Sequence, residues 1–475
     1  MENLTSEILR DLIQTDKASK QNMQDGLNYY VGENDILKKD FRTYYVEDVA
    51  YIDYNKSNEH IPNNYHKKLV DQKRGYMVGK PVTIDVESDD KAQMEAIKDT
   101  LGRQWQDTLI EWVKGACNMG YQNLHPYIGA DGSFKYAIIT AVETIYITDT
   151  SLEADVINVI RYYEMDWIQP VSKEKVKVLR VEVWDTEKVT YYQSEGDADY
   201  VLVAPNENSD VKENPQYHWY MISDTSKIGM GWGKVPFIKL ENNTELTTDL
   251  LPIKKYVDAV DVVSSGFIND LADIQLAIWV LKGYDGQSLS EFMKNLQTFK
   301  AIKLSTDDNA SAEPKTMEIP KEARVAILEW LDKKIYEIGQ GVNEADLAGG
   351  SGITNVVIKA HYTGLDIKAN TLLVKLEKSM YDFLWYVIAY INEAEGKNYD
   401  VDDIKITFNK SMIFNEVEIV EMLAKSKGII SDETITRNHP LVHDADKELE
   451  LMEKEKTEAT ADMDLLMRAG AVSEE

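Results

Sequence analysis

The chain has 475 residues, 52 of them basic and 82 acidic, for a formal net charge of −30. Its length allows two to four domains with a sizeable core, and its acidity excludes an outer surface that binds DNA by displacing counterions. That acidity still permits a channel wall that repels phosphate and lets a duplex slide, or simple solubility.

Residues 4–31 read as a polar helix closed by Gly32, a C′ glycine. A second helix is expected over 60–79, stopped by Gly79 and Pro81, and a third over Thr108–Met119, ending at Gly120. Cys117, the sole cysteine, lies in that third helix. It permits no intrachain disulfide, has no activating partner in sequence, and reads as a small buried hydrophobe. The period then changes to two. Tyr127–Tyr136 carries an Asp-Gly turn between β-prone flanks, and strands follow over Val156–Met165, Val176–Asp185 and Val189–Gln193. Residues 1–245 are therefore an α+β region with a strand-rich second half.

A short apolar strand, Val235-Pro236-Phe237-Ile238, and a polar turn, Glu241-Asn242-Asn243, precede a long helix from about Pro252 to Leu281. Ile253, Val257, Val260, Val263, Phe267, Leu271, Ile274, Ile278 and Leu281 recur every three or four residues along it, as one buried stripe. Such a helix would run roughly 45 Å and suits a strut packing against copies of itself. Gly283-Tyr284-Asp285-Gly286 breaks it. A small insert follows, with a helical stretch at Ser290–Leu296, a strand at Lys300–Leu304, a polar loop over Ser305–Pro314 and a return strand at Thr316–Ile319. The insert is too small for a core of its own. Glu322–Val342 forms the next helix, with Ile327, Leu331, Ile335, Ile338 and Val342 on one face. The run Ala348-Gly349-Gly350-Ser351-Gly352 then breaks the helix. Thr354 to Glu395 is a third long helix with a stripe from Leu365 to Ile391, closed by Gly396. A strand at Ile404–Phe408 and a helical region from Glu416 to Met467 complete the chain.

No catalytic constellation emerges. Gly349–Gly352 lacks the Lys-Ser or Lys-Thr of a phosphate loop, and Val235 stands where Gly229–Lys234 would need Ser or Thr. Pro440 spoils the helical register of His439 and His443 as metal ligands, so no metal or cofactor is expected. Lys333 and Lys334 interrupt an acidic helix pair containing Asp258, Asp261, Asp270, Asp273, Glu329, Asp332 and Glu337. They either pair with Glu329 and Glu337 along the helix or present a lysine ring to phosphate. No basic-then-apolar segment opens the chain, and the longest apolar run, Phe383–Ile391, falls far short of the roughly 20 residues a spanning helix needs. The expectation is a soluble, cytoplasmic protein with no membrane contact.

Three motifs in order carry a resemblance. Near the start, Ile61-Pro62-Asn63-Asn64-Tyr65-His66-Lys67-Lys68 leads into Val70-Asp71-Gln72-Lys73 and Gly75–Pro81. In mid-chain, Gly233-Lys234-Val235-Pro236-Phe237-Ile238 and Asn242-Asn243 precede a helix containing Asn269-Asp270-Leu271-Ala272-Asp273 and ending in Val280-Leu281-Lys282-Gly283. Near the end come Phe414-Asn415-Glu416, Lys427–Thr434, Pro440-Leu441-Val442, Asp444 and Glu448-Leu449-Glu450. Together they resemble the portal proteins of tailed, siphovirus-type double-stranded DNA bacteriophages.

The resemblance implies an α+β portal architecture: a wing over 1–245, stem helices over 246–282 and 321–342, and a clip over 283–320. A tunnel loop over 343–354, a long wing helix over 355–400 and a strand with a helical crown over 401–475 would follow. The chain would form a ring, a dodecamer in that family, at one capsid vertex of the virion, assembled in the bacterial host cytoplasm. Double-stranded DNA would pass through it during packaging and ejection. Its partners would be the terminase packaging motor, head–tail connector proteins, and the major capsid and scaffolding proteins, with the ATPase activity left to the motor. Ala348, Gly349, Gly350, Ser351 and Gly352 would touch DNA or form a plain interhelical turn, and Lys333 and Lys334 are candidate channel lysines. Val260, Phe267, Leu271, Ile274, Ile278, Leu331 and Ile335 would hold the stem together. The alternative is a metal-dependent nuclease or phosphotransfer enzyme using the acidic residues.

Overall fold

A computed structural model describes residues 5–457 apart from 55, 87–89, 169–174, 197, 207–210, 224–225, 274–277, 283–310, 316–319, 348–353, 412–415 and 443–447. The chain divides into one unit of residues 1–341 with 368–409 and a second of 342–367 with 410–475.

The first unit opens with α1 (Ser6–Ser19) and α2 (Gln21–Val31), where one helix was expected. Lys20 separates them: its ammonium is buried, donating to the Thr144 carbonyl at 2.8 Å and pairing with Asp16. Gly32, at φ 85°, ends α2 as its spacing predicts. A hairpin, β1 (Thr43–Val46) and β2 (Val49–Ile52), comes next and has no counterpart in the sequence reading. α3 (Tyr65–Val78) leads to β3 (Thr83–Val86), then α4 (Lys91–Leu101), also unanticipated, whose Asp90 cap accepts from Ala92 N at 2.9 Å. α5 (Trp105–Met119) stops at Gly120, φ 87°, where a Cβ would fall 2.1 Å from the Leu246 carbonyl oxygen.

Strands then dominate to residue 241. β4 (Tyr121–Ile128) and β5 (Phe134–Ile139) form the predicted hairpin. β6 (Thr144–Thr148), β7 (Val156–Ile168), β8 (Lys175–Trp184), β9 (Lys188–Ser194) and β10 (Val201–Leu202) make an antiparallel meander, with β11 (Gln216–Tyr217) also on β9. β12 (Trp219–Ser223) and β13 (Ser226–Met230) form a further hairpin. Of the expected strand at 235–238 only Ile238 is extended and paired, opening β14 (Ile238–Glu241) against β4; Val235 and Phe237 are buried in the loop before it.

α6 (Lys254–Asp273) does not reach the predicted boundary at Leu281. Ile278 and Leu281 belong instead to β15 (Ile278–Lys282), paired with β16 (Ser311–Lys315). The apolar run Ile278-Trp279-Val280-Leu281 satisfies both periods, and its β-branched and aromatic content suits the strand. β16 occupies part of the expected polar loop; the expected segments Ser290–Leu296, Lys300–Leu304 and Thr316–Ile319 lie outside the described residues. α7 (Lys321–Gly339) stops short of Val342, with Gln340 left-handed at φ 55°. α8 (Asn355–Glu395) has 41 residues, about 60 Å. Its whole predicted stripe, from Leu365 through Met380 to Ile391, is buried, and Phe383 stacks on Trp105 at 5.1 Å. β17 (Ile404–Thr407) pairs with β3.

In the second unit the expected helix from Glu416 to Met467 is interrupted. α9 (Glu416–Ser426) and α10 (Asp432–Arg437) are separated by Gly428 at φ 87°, and residues 448–457 are helical again after Pro440. Among the described residues no helix is long and apolar enough to cross a membrane.

Candidate functional site

The site centres on α6 and α7. Val257 and Val260 of α6, with Ile253 just before it, meet Leu331, Ile335 and Tyr336 of α7 in one buried cluster completed by Tyr29, Leu69 and Leu250. Three residues expected between copies, Val260, Leu331 and Ile335, are thus covered within the chain. The rest of that set divides differently. Phe267 is half-buried, with the Arg324 guanidinium 5.4 Å from its ring centre, and Arg324 also pairs with Asp270. Leu271 is exposed, Ile274 lies outside the described residues, and Ile278 begins β15. Elsewhere the two helices keep Ile268, Leu271, Val325, Ile327 and Trp330 exposed, Trp330 to 55 %.

A second face of α6 is polar and occupied. Backbone N–H groups of Ser57, Glu59, Ile61 and Asn63 donate to Asp273 (2.9 Å), Asn269 (2.7 Å), Ser265 (2.9 Å) and Asp261 (2.8 Å). The register follows from geometry: two extended residues advance about 6.6 Å and four helical residues about 6.0 Å. Every second amide of this segment therefore meets every fourth helix side chain. Asn269 also donates to the Glu59 carbonyl at 3.0 Å. Buried Asp261 accepts two further bonds, from Asn63 Nδ2 (2.8 Å) and Asn34 Nδ2 (2.6 Å), and burial pushes its pKa above the usual carboxylate range.

Most acids expected on an acidic helix wall are therefore engaged inside the chain. Asp258 bonds the Tyr29 hydroxyl and Lys254, Asp332 accepts from Tyr65 at 2.7 Å, and Asp270 holds Arg324. Lys334 pairs with Glu337 at 2.8 Å, three residues along rather than four, while Lys333 and Glu329 are exposed. Ala348, Gly349, Gly350, Ser351 and Gly352 lie outside the described residues, as does His443. The glycines near 229 have a packing role: a Cβ on Gly229 would sit 2.2 Å from the Tyr217 ring. Among the described residues no group of three or more His, Cys, Asp or Glu side chains could hold a metal ion.

Sequence reasoning missed a buried charge cluster behind α6. Lys73 of α3 is 1 % exposed and reaches Asn242 Oδ1 (2.7 Å) and Asp249 (3.2 Å). Lys368 of α8 shares Asp249 at 3.4 Å and donates to the Gly339 carbonyl at 3.1 Å. Asp249 in turn receives Asn242 Nδ2 (3.0 Å), and its N–H donates to the Cys117 carbonyl (2.9 Å). The cluster thus joins α3, α5, α8, the end of α7 and the loop that enters α6. Burial opposes charge on Asp249, yet the two ammonium groups hold it well below the carboxylate range. The lysines divide: burial is outweighed by Asp249 at Lys73, which is raised, but lowers Lys368, which Lys73 also repels. Burial lifts the Cys117 thiol to about 12, so it is a buried neutral group as expected. The signal available beforehand was Lys73 within the first family-like motif and Asp249 just after Asn242-Asn243.

The profile of the family described as "Phage portal protein, SPP1 Gp6-like" matches residues 9–462. The chain is 32 % identical over 446 residues to the portal protein of Bacillus phage SPP1, covering 93 % of this chain and 84 % of the relative. It is 30 % identical over 467 residues to the portal protein of Clostridium phage phiCD119, covering 95 % and 96 %.

Proposed function

The chain belongs to the SPP1 Gp6-like family of phage portal proteins, and from that premise we propose that copies of it close into a ring, a dodecamer, at one vertex of the capsid. The ring is the conduit for double-stranded DNA during packaging and ejection. It contains no catalytic centre of its own; the packaging motor, the head–tail connector and the capsid and scaffolding proteins are its partners. The nuclease or phosphotransfer alternative finds no support in the comparisons. Assembly takes place in the host cytoplasm.

The observation that carries the ring reading is the α6–α7 pair. Its inner seam is closed within the chain, while elsewhere the two helices leave Ile268, Leu271, Ile327 and Trp330 exposed. Large exposed apolar side chains on two packed helices mark a candidate interaction site. We assign the contact between copies to this exposed surface, with Phe267 beside it. Leu271→Asp together with Trp330→Asp is expected to lower the yield of particles with a central hole, counted by negative-stain microscopy, at least about tenfold, since tenfold needs only about 1.4 kcal/mol. The unfolding transition of the single chain should change little. Rings at wild-type yield would remove this surface from the interface.

Within this reading the segment 283–320 is the clip that meets the motor and connector, 343–354 is the tunnel loop, and Lys333 and Lys334 contact phosphate. Replacing Gly349, Gly350 and Gly352 together by alanine favours helix by about 1 kcal/mol for each. Ring yield is expected to survive while packaged DNA falls. Equal losses in both would make the loop structural, and unchanged packaging would end its role.

A further inference from the structure

The hairpin β1–β2 is the most exposed apolar element among the described residues. Its strands have four residues each, joined by Glu47 and Asp48, both at positive φ (49° and 63°), the signature of a two-residue I′ turn. Register places Tyr44, Val46, Val49 and Tyr51 on one face, with the two tyrosine rings stacked at 5.7 Å, and Tyr45 and Ile52 on the other. All six are exposed, Tyr45 to 71 %. An isolated two-stranded hairpin is marginal in water, and this one is apolar on both faces, so cover is needed on both.

We propose that this hairpin is a blade that inserts into the adjacent copy of the chain in the ring; the inference rests on the ring reading above. Three observations select a second copy as the occupant. First, the blade's root is fixed to α6. Asp53 N donates to Arg42 O and closes the hairpin's base, and five residues after Ile52 the Ser57 N–H donates to Asp273, so the hairpin is tethered to the same end of α6 that carries the exposed Ile268 and Leu271. Second, copies carrying −30 each must meet where carboxylates are few; the only charged residues from Thr43 to Ile52 are Glu47 and Asp48, both at the tip. Third, covering these side chains removes on the order of 500 Å² of surface from one partner, less than the ~800 Å² each side of a free-standing interface supplies. Such a contact is too small to make a dimer alone and suits one repeated around a closed ring. A protruding blade and a different receiving surface are also the two halves of a head-to-tail contact, the kind that closes rings.

The test uses the lone, buried cysteine. In the full chain, Cys117→Ala removes the only thiol and Tyr45→Cys adds one on the blade, which is then labelled with benzophenone maleimide. Rings assembled from equal amounts of light and heavy-isotope chains are irradiated and digested. Adducts joining a light and a heavy peptide are expected in the ring fraction and absent from single chains. In parallel, Tyr44→Ser, Tyr45→Ser, Tyr51→Ser and Ile52→Ser combined should reduce ring yield at least about tenfold with the chain's unfolding transition unchanged. Adducts confined to one chain, adducts to another protein, or rings at wild-type yield from the serine variant would each overturn the blade while leaving the ring standing. A wild-type chain that never forms rings would overturn the ring reading and the blade with it.

Discussion

Asp249→Ala is expected to cost about 3–5 kcal/mol of stability at neutral pH, the range found when one partner is removed from a buried ion pair. The carboxylate neutralises two ammonium groups, and its loss strands Lys73 and Lys368 together among the helices that meet behind α6. Asn242 and the loop entering α6 lose an anchor as well. Chemical unfolding of the single chain measures the cost. Two controls separate charge from packing. Adding Lys368→Met should recover part of the loss, seen as a non-additive cycle. The pH dependence has a definite sign. In the wild type the folded pKa of Asp249 is depressed, so its stabilisation is complete above about 3.8, the unfolded value, and fades as pH falls below it. In the variant the stranded lysines have lowered folded pKa values, so its deficit should shrink as pH rises towards about 10.5. A deficit independent of pH would mean that lost packing, rather than charge, explains the change.

Asp261→Ala should detach the extended segment from α6. The substitution leaves the buried Asn63 N–H without its acceptor, and leaves Asn63 Nδ2 and Asn34 Nδ2 only their longer bonds to the Ile61 (3.3 Å) and Asn63 (3.4 Å) carbonyls. Unsatisfied donors cost about 1–3 kcal/mol each before water enters, so a loss on the order of 3 kcal/mol is expected. Amide hydrogen exchange gives the local readout: Asn63, Ile61 and Glu59 should exchange much faster, with Ser57 following. Asp261→Asn retains an acceptor oxygen and should lose less. Unaltered exchange at Asn63 in the alanine variant would show that Asp261 is not the anchor.

What could be read beforehand follows a physical pattern. The α8 stripe was legible because each of its members from Leu365 to Ile391 serves one buried face, so period and burial agree. The end of α6 was not, because Ile278 and Leu281 continue a helical period by coincidence while belonging to a strand-prone run. β1–β2 escaped notice because a blade apolar on both faces has no alternation, and its turn uses Glu-Asp rather than a glycine. Asp261, Ser265, Asn269 and Asp273 recur every four residues, a visible pattern that resembles a solvated face unless an extended segment is known to lie on it. Lys73 and Asp249 each lay in or just after a family-like motif, but 176 residues separate them and nothing in the sequence pairs the two motifs. The stem assignment went furthest astray for Val260, Leu331 and Ile335: a buried stripe says that a partner exists, and here the partner is another helix of the same chain.

The matched spacing of residues 57–63 and α6 has a mechanical consequence. Its four amide bonds lie side by side along the helix, so a pull parallel to the axis loads all of them together, as a lap joint does, and the segment can re-engage only after slipping a full step of about 6 Å. A pull perpendicular to the axis loads them one at a time, and the joint peels from an end. The attachment is stiff against axial thrust and compliant against lateral lifting, a directional bearing built from ordinary hydrogen bonds between one helix face and every second residue of the segment lying on it.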